Sequence, residues 1–299
     1  MLLITASRGS RSVGSLLAGI TLFAACSREG FEPRSGATHL DVPLTASLSA
    51  SGYALVSQPD SMTSQALSFG RTLQCPAGKR SLGGGVQNTN YGVVIQESAP
   101  NATGTSWAYT VSRDTAGPTV GFTGWAVCAD SSLNGYALVA RTDTLVPQAV
   151  TFGRTLSCPS GKQVLGGGVQ NGNYGVVLQD TRPHPSGAAW TYTVSRKSGG
   201  ATVAFTGRAI CADSAVTGYA LVSRPDTMGH SVFTFGRSLT CPTGKQVFSG
   251  GVQNANYGVV LQENHPDASG GTWAYTLSRK TADSVVTFTG WVACGTATS

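Results

Sequence analysis

Three groups of side chains in this 299-residue sequence have the types and spacing to contact a ligand or run a reaction. Gln87-Asn88-x-Asn90-Tyr91-Gly92 returns as Gln170, Asn171, Asn173, Tyr174 and Gly175, and again as Gln253, Asn254, Asn256, Tyr257 and Gly258. Amides that both donate and accept, beside an aromatic ring, suit sugar hydroxyls and sugar ring faces. The same residues suit a tight hairpin, because Asn and Gly accept left-handed backbone. Two carboxylate sets also recur: Asp60, Asp143 and Asp226, and Glu97, Asp180 and Glu263. A glycoside hydrolase needs two carboxyls flanking one bond, so each set member has a formal partner. Asp60, however, sits in what reads as a turn, where Asp serves its own backbone. The third group is Gly78-Lys79. It lacks the spacing and the Ser/Thr of a phosphate loop, and no strand-to-helix context surrounds it.

Other chemistry is excluded more simply. His39, His184, His230 and His265 share no repeated setting, and no His pair stands at metal-ligand spacing. No catalytic residue, metal or cofactor is therefore expected. Basic residues are scattered, and without Arg8 and Arg11 they number 18 against 14 acids, about +4, which is no nucleic-acid footprint. The chain reads as a non-enzyme.

Behind these residues lies an internal repeat. GYALV begins at Gly52, Gly135 and Gly218, a period of 83. FGR-x-L-x-CP-x-GK begins at Phe69, Phe152 and Phe235, and Trp107, Trp190 and Trp273 each open W-x-YT-x-SR. In all, 37 positions are identical in the three copies, so identity alone does not mark function. Charged residues are only 11%, against about 25% in typical domains, while Gly reaches 39. With Thr, Val and Tyr abundant, this composition excludes disorder and helical repeats and favours turn-rich β structure. The expected fold is all-β: three tandem antiparallel units of about six strands each, closely packed with pseudo-three-fold symmetry. In the first copy the strands are expected near 52–57, 67–75, 81–88, 92–97, 105–113 and 119–128. Trp107, Tyr109 and Val111 alternate onto one face and read as core. Trp125, replaced by Arg208 and Trp291 in the other copies, reads as partly wet, facing solvent or a neighbouring copy. Gly83-Gly84-Gly85 marks a bulge or a close strand approach.

Six cysteines stand 53 residues apart within the copies. Two pairings respect the repeat: Cys75–Cys128, Cys158–Cys211 and Cys241–Cys294, or the shifted set 128–158, 211–241 and 75–294. The first makes each unit self-contained and is favoured. The seventh, Cys26, has no partner. It ends an N-terminal segment with Arg8, Arg11 and a 13-residue apolar run, too short to span a bilayer.

Leu22-Phe23-Ala24-Ala25-Cys26 resembles a bacterial lipobox, with Phe23 where Leu is usual. The resemblance implies cleavage before Cys26 and lipid attachment to it. The expected organisation is a signal segment at 1–25, a lipidated Cys with a flexible tether at 26–51, and repeats at 52–134, 135–217 and 218–299. Such a protein sits at the cell envelope, held to the membrane by its N-terminal lipid. Ser27 implies outer-membrane sorting in a Gram-negative host, by similarity to enteric lipoproteins. The CP-x-GK…GG…W…C pattern over 52–299 resembles small secreted bacterial repeat modules of uncharacterised function. A disulfide-stapled six-stranded sandwich used three times is also similar, in architecture alone, to the trimeric H-type lectins.

These readings converge on a monomer with an internal pseudo-trimer that binds a glycan or a protein surface without catalysis. The alternatives are an envelope assembly module with no small ligand and, weakest, a glycan-active hydrolase. Any site is expected once per copy, acting by avidity.

Overall fold

β-Branched and aromatic residues alternate with polar ones through each copy, and Gly punctuates them, so short strands and tight turns follow. The computed structural model describes residues 50–214, 218–281 and 284–298. The first copy forms β2 (Ala54–Met62), β3 (Ser68–Gln74), β4 (Lys79–Gln87), β5 (Val93–Pro100), β6 (Ser106–Arg113) and β7 (Val120–Asp130). The second forms β8 (Ala137–Leu145), β9 (Thr151–Ser157), β10 (Lys162–Gln170), β11 (Val176–Pro183), β12 (Ala189–Arg196) and β13 (Val203–Asp213). The third forms β14 (Ala220–Met228), β15 (Thr234–Thr240), β16 (Gln246–Gln253), β17 (Val259–Pro266), β18 (Thr272–Arg279) and β19 (Val286–Gly295). Two short strands, β1 (Ala50–Ser51) and β20 (Ala297–Thr298), pair in parallel.

Each copy folds into two three-stranded layers, β2-β7-β4 and β3-β6-β5 in the first. Trp107, Tyr109 and Val111 are fully buried between them, as their alternation implies. Trp107 donates its indole N–H to Ser98 Oγ at 3.0 Å, and Phe122 meets Phe69 and Tyr109 edge-on. The disulfides join Cys75–Cys128, Cys158–Cys211 and Cys241–Cys294, each with Cα atoms 5.8 Å apart. They staple one layer of a copy to the other.

The two layers of a copy belong to different sheets. The strand orders are β3-β6-β5-β10-β13-β8, β9-β12-β11-β16-β19-β14 and β15-β18-β17-β4-β7-β2. Each six-stranded sheet is thus half one copy and half the next, and the ring closes when the third copy pairs with the first. The junctions are narrow, with Val169 opposite Ser98, Val252 opposite Thr181 and Val86 opposite Asn264. The β1–β20 pair adds a clasp: Ala50 N–H donates to Thr296 O at 3.0 Å. Residues 50–51 therefore belong to the folded body, at the end of the segment read as a tether.

Glycines let the junctions approach. A Cβ on Gly85, Gly168 or Gly251 would strike the backbone carbonyl of Asn264, Ser98 or Thr181 in the neighbouring copy. The expected bulge is present as well, between Ser81 and Gly83. Positions 83, 166 and 249 meet where all three copies approach one another, and only the third carries a side chain, Ser249, whose hydroxyl donates to Leu165 O.

Two sequence expectations are corrected. Asp60 is not in a turn: β2 runs through Pro59 and Asp60 to Met62. Because β2 is an edge strand, the missing proline N–H costs no ladder bond. The position read as partly wet is so only in the third copy: Trp125 and Arg208 are each 9% exposed, whereas Trp291 is half-buried. It faces the neighbouring copy, and each junction fills it differently. Trp125 stacks on His265, the Arg208 guanidinium donates to Pro100 O at 2.9 Å, and the Arg182 guanidinium lies over Trp291.

Candidate functional site

The repeated Gln-Asn-x-Asn-Tyr-Gly segments are the loops β4–β5, β10–β11 and β16–β17. Their residues divide between scaffold and surface. Asn88, Asn171 and Asn254 are fully buried. Asn171 Nδ2 donates to Val176 O across its own loop, which links two different sheets, at 2.7 Å and to Gln96 O of the preceding copy at 3.3 Å. Gln96 Nε2 returns a bond to Asn171 O at 3.1 Å. Gln179 with Asn254, and Gln262 with Asn88, repeat the exchange. Asn90, Asn173 and Asn256 donate to these buried Asn Oδ1 atoms and to Gly121 O, Ala204 O and Thr287 O. The buried Asn88, Asn171 and Asn254 thus satisfy their hydrogen bonds by joining neighbouring copies, while the half-buried Asn90, Asn173 and Asn256 brace the loop within their own copy. Gln87, Gln170 and Gln253 are exposed, and Gln170 Oε1 accepts from Arg208 at 2.8 Å.

The tyrosines are the surface part. Tyr91, Tyr174 and Tyr257 are 55%, 50% and 51% exposed, which leaves their ring faces open. Left-handed Gly92, Gly175 and Gly258 follow them and turn the chain into the next strand. Each hydroxyl reaches into the preceding copy: Tyr174 donates to Arg113 O at 2.7 Å, Tyr257 to Arg196 O at 2.9 Å and Tyr91 to Arg279 O at 2.9 Å. Those arginines are in turn fixed by their own loops. The Arg113 guanidinium donates to the carbonyls of Thr63, Ser64, Ala66 and Pro118.

The three rings converge on one place. Together with Val94, Val177 and Val260 they line one cavity of about 330 Å³ on the pseudo-three-fold axis. That volume is at the lower end of small-molecule sites. Val93 points into the copy's core and Val94, by alternation, into the cavity. The mouth breaks the symmetry: Asp114 stands where the other copies carry Lys197 and Lys280. Lys280 pairs with Asp114, whereas Lys197 makes no ion pair among the described residues. The valines and the Asp/Lys/Lys position were not singled out from sequence. Their signal is the second Val of NYGVV and a charge reversal directly after an invariant Ser-Arg.

The carboxylates serve elsewhere. Asp60 accepts from Arg71 Nε at 2.7 Å and from the Tyr109 hydroxyl; Asp143 with Arg154 and Tyr192, and Asp226 with Arg237 and Tyr275, repeat the arrangement. Burial, then Asp60 itself, keeps the Tyr109 hydroxyl protonated. Glu97, Asp180 and Glu263 sit at the junctions instead. Burial pushes the Glu97 carboxyl up. Burial also pushes Glu263 up, but hydrogen bonds from His265 and Thr276 outweigh it and leave the group below its ordinary value.

Asp180 is the extreme member. Burial pushes it up to about 7, and Arg182, at 3.7 Å, is too far for a hydrogen bond that would restore it. Its folded proton affinity exceeds the unfolded one, so its contribution to stability is complete below about pH 4 and is lost as pH rises through about 7. Wild type is therefore expected to lose stability relative to Asp180→Asn between pH 5 and 8, by roughly 1–3 kcal/mol. Urea unfolding at several pH values checks this; a pH-independent difference would contradict it.

The fold and site define a class: a three-repeat, disulfide-stapled ring of β-sandwiches with one cavity on its axis. No family model matches the chain, and no curated protein proves similar to it.

Proposed function

We propose that this chain is a non-catalytic binding module of the cell envelope, held by a lipidated Cys26, whose ligand enters the axial cavity. The observation that carries the reading is that equivalent residues of all three copies converge on one recess with exposed aromatic faces. Cys26 lies outside the described residues. In favour of the anchor, six of seven cysteines are consumed in disulfides, and Cys26 ends a lipobox-like segment.

Geometry also favours access. The described chain enters at Ala50, beside Thr296 and Thr298. That is the end where Lys245 Nζ holds Gly218 O, and the strands run from there to the tyrosine loops. A nine-residue strand covers roughly 30 Å, so the point where the chain enters the folded body and the tyrosine loops lie at opposite ends of the sandwiches. The non-catalytic reading rests on the two recurring carboxylate sets, which are engaged with scaffold partners away from the cavity; the one carboxylate at its mouth, Asp114, is paired with Lys280 and has no equivalent in the other copies.

Native mass spectrometry of the protein taken from its own envelope tests the proposal. One small molecule per chain is expected in wild type and absent in Val177→Trp, whose ring fills the cavity. No adduct in wild type, or the same adduct in the variant, would overturn the reading and favour an assembly module without a ligand.

A further inference from the structure

Resting on the reading of the axial cavity as a ligand site, we infer that its occupant is a single amphipathic anion: an apolar ring system or short chain bearing one acidic group. Size sets the apolar part. A dry cavity of about 150 Å³ takes benzene. The axial cavity, about 330 Å³, has room for roughly two fused rings, and its open mouth lets a further linked ring or a charged group project beside the Asp114, Lys197 and Lys280 side chains. It cannot hold three copies of a ligand, so the stoichiometry is one per chain.

The walls set the chemistry. Val94, Val177 and Val260 offer only methyl groups. The tyrosine hydroxyls are already spent on main-chain carbonyls, so the rings present faces rather than donors. The neighbouring loop amides are occupied as well. The polar groups left on the wall are the largely buried hydroxyls of Ser112, Ser195 and Ser278, one per copy, which can orient one polar group of a ligand whose bulk lies against the valines and tyrosine rings.

The mouth sets the charge. With strict three-fold symmetry it would carry three like residues. Instead, Asp114 neutralises Lys280, and Lys197 has no carboxylate partner among the described residues, which leaves its ammonium beside an apolar recess. A cationic head would face that ammonium, whereas an acidic one completes it.

Two dyes of the same skeleton separate the steps: uncharged N-phenyl-1-naphthylamine and the anion 1-anilinonaphthalene-8-sulfonate. Fluorescence titrations use the full-length chain carrying Cys26→Ser, with its disulfides formed, so that no attached acyl chain competes. The sulfonate is expected to bind about three- to tenfold more tightly than the uncharged dye. Lys197→Glu should weaken the sulfonate about tenfold and leave the uncharged dye within twofold. Asp114→Lys, which frees Lys280, should tighten the sulfonate further. Equal affinities with no response to Lys197→Glu would overturn the anion inference while leaving the cavity reading intact. Failure of both dyes to bind, or binding of both that survives Val177→Trp, would overturn the cavity reading itself.

Discussion

Gly168→Ala is expected to destabilise the protein by about 3 kcal/mol or more, although it adds one methyl group. The added carbon would strike the Ser98 carbonyl, within the β5–β10 junction where Val169 faces Ser98. Main chain cannot swing aside as a long side chain can, so the strands must part. The Gln96–Asn171 exchange, which spans the same junction, would loosen with them. For a body of this size the loss corresponds to a fall in Tm of roughly 6–12 °C. Gly172→Ala is the control: nothing lies within 4 Å of its added carbon, and the other copies carry Thr89 and Ala255 there. Thermal unfolding of both variants checks the argument. Equal, small shifts would mean that the copies do not share a sheet at this junction.

The second large effect concerns the staples. Replacing Cys158 and Cys211 together by Ala is expected to cost about 2–5 kcal/mol. The disulfide closes a 53-residue loop, which restricts the unfolded chain. Its location adds to this. Cys158 follows β9 and Cys211 lies in β13, strands of two different six-stranded sheets. Loss of one staple therefore loosens a sandwich on which both neighbouring copies depend. Guanidinium unfolding should show one cooperative transition moved to lower denaturant. An unmoved midpoint would contradict the role given to the disulfide, and a separate early transition of the second copy would contradict its coupling to the neighbours.

Much of the architecture was legible because it is local. The alternation of Trp107, Tyr109 and Val111 identifies a buried face from eight residues of sequence, and the cysteine period of 53 already favours pairing within a copy. The sharing of sheets was not legible. Its determinants are one facing pair per junction and an amide exchange, and Gln96 and Asn171 look like any polar residues until their 75-residue separation is closed. The same non-locality hides the scaffold role of the loops. Asn88 has turn character in sequence and fulfils it, yet its remaining hydrogen-bond capacity goes to another copy rather than to a ligand. Asp60 read as a turn residue because Asp favours turns, and only the structure shows β2 continuing through Pro59 and Asp60 as an edge strand. The tyrosines were recognised as surface residues, but three equivalents 83 residues apart imply three sites unless a symmetry axis brings them together.

The number of ligand molecules bound per chain tests that convergence most directly. Titration of the full-length Cys26→Ser chain with N-phenyl-1-naphthylamine should saturate at one equivalent. Tyr91→Ala, Tyr174→Ala and Tyr257→Ala should each weaken that single event, by about tenfold, without changing its stoichiometry. Saturation at three equivalents, with each single variant removing one third of the capacity and leaving the rest at full affinity, would show three independent sites and contradict a common axial cavity.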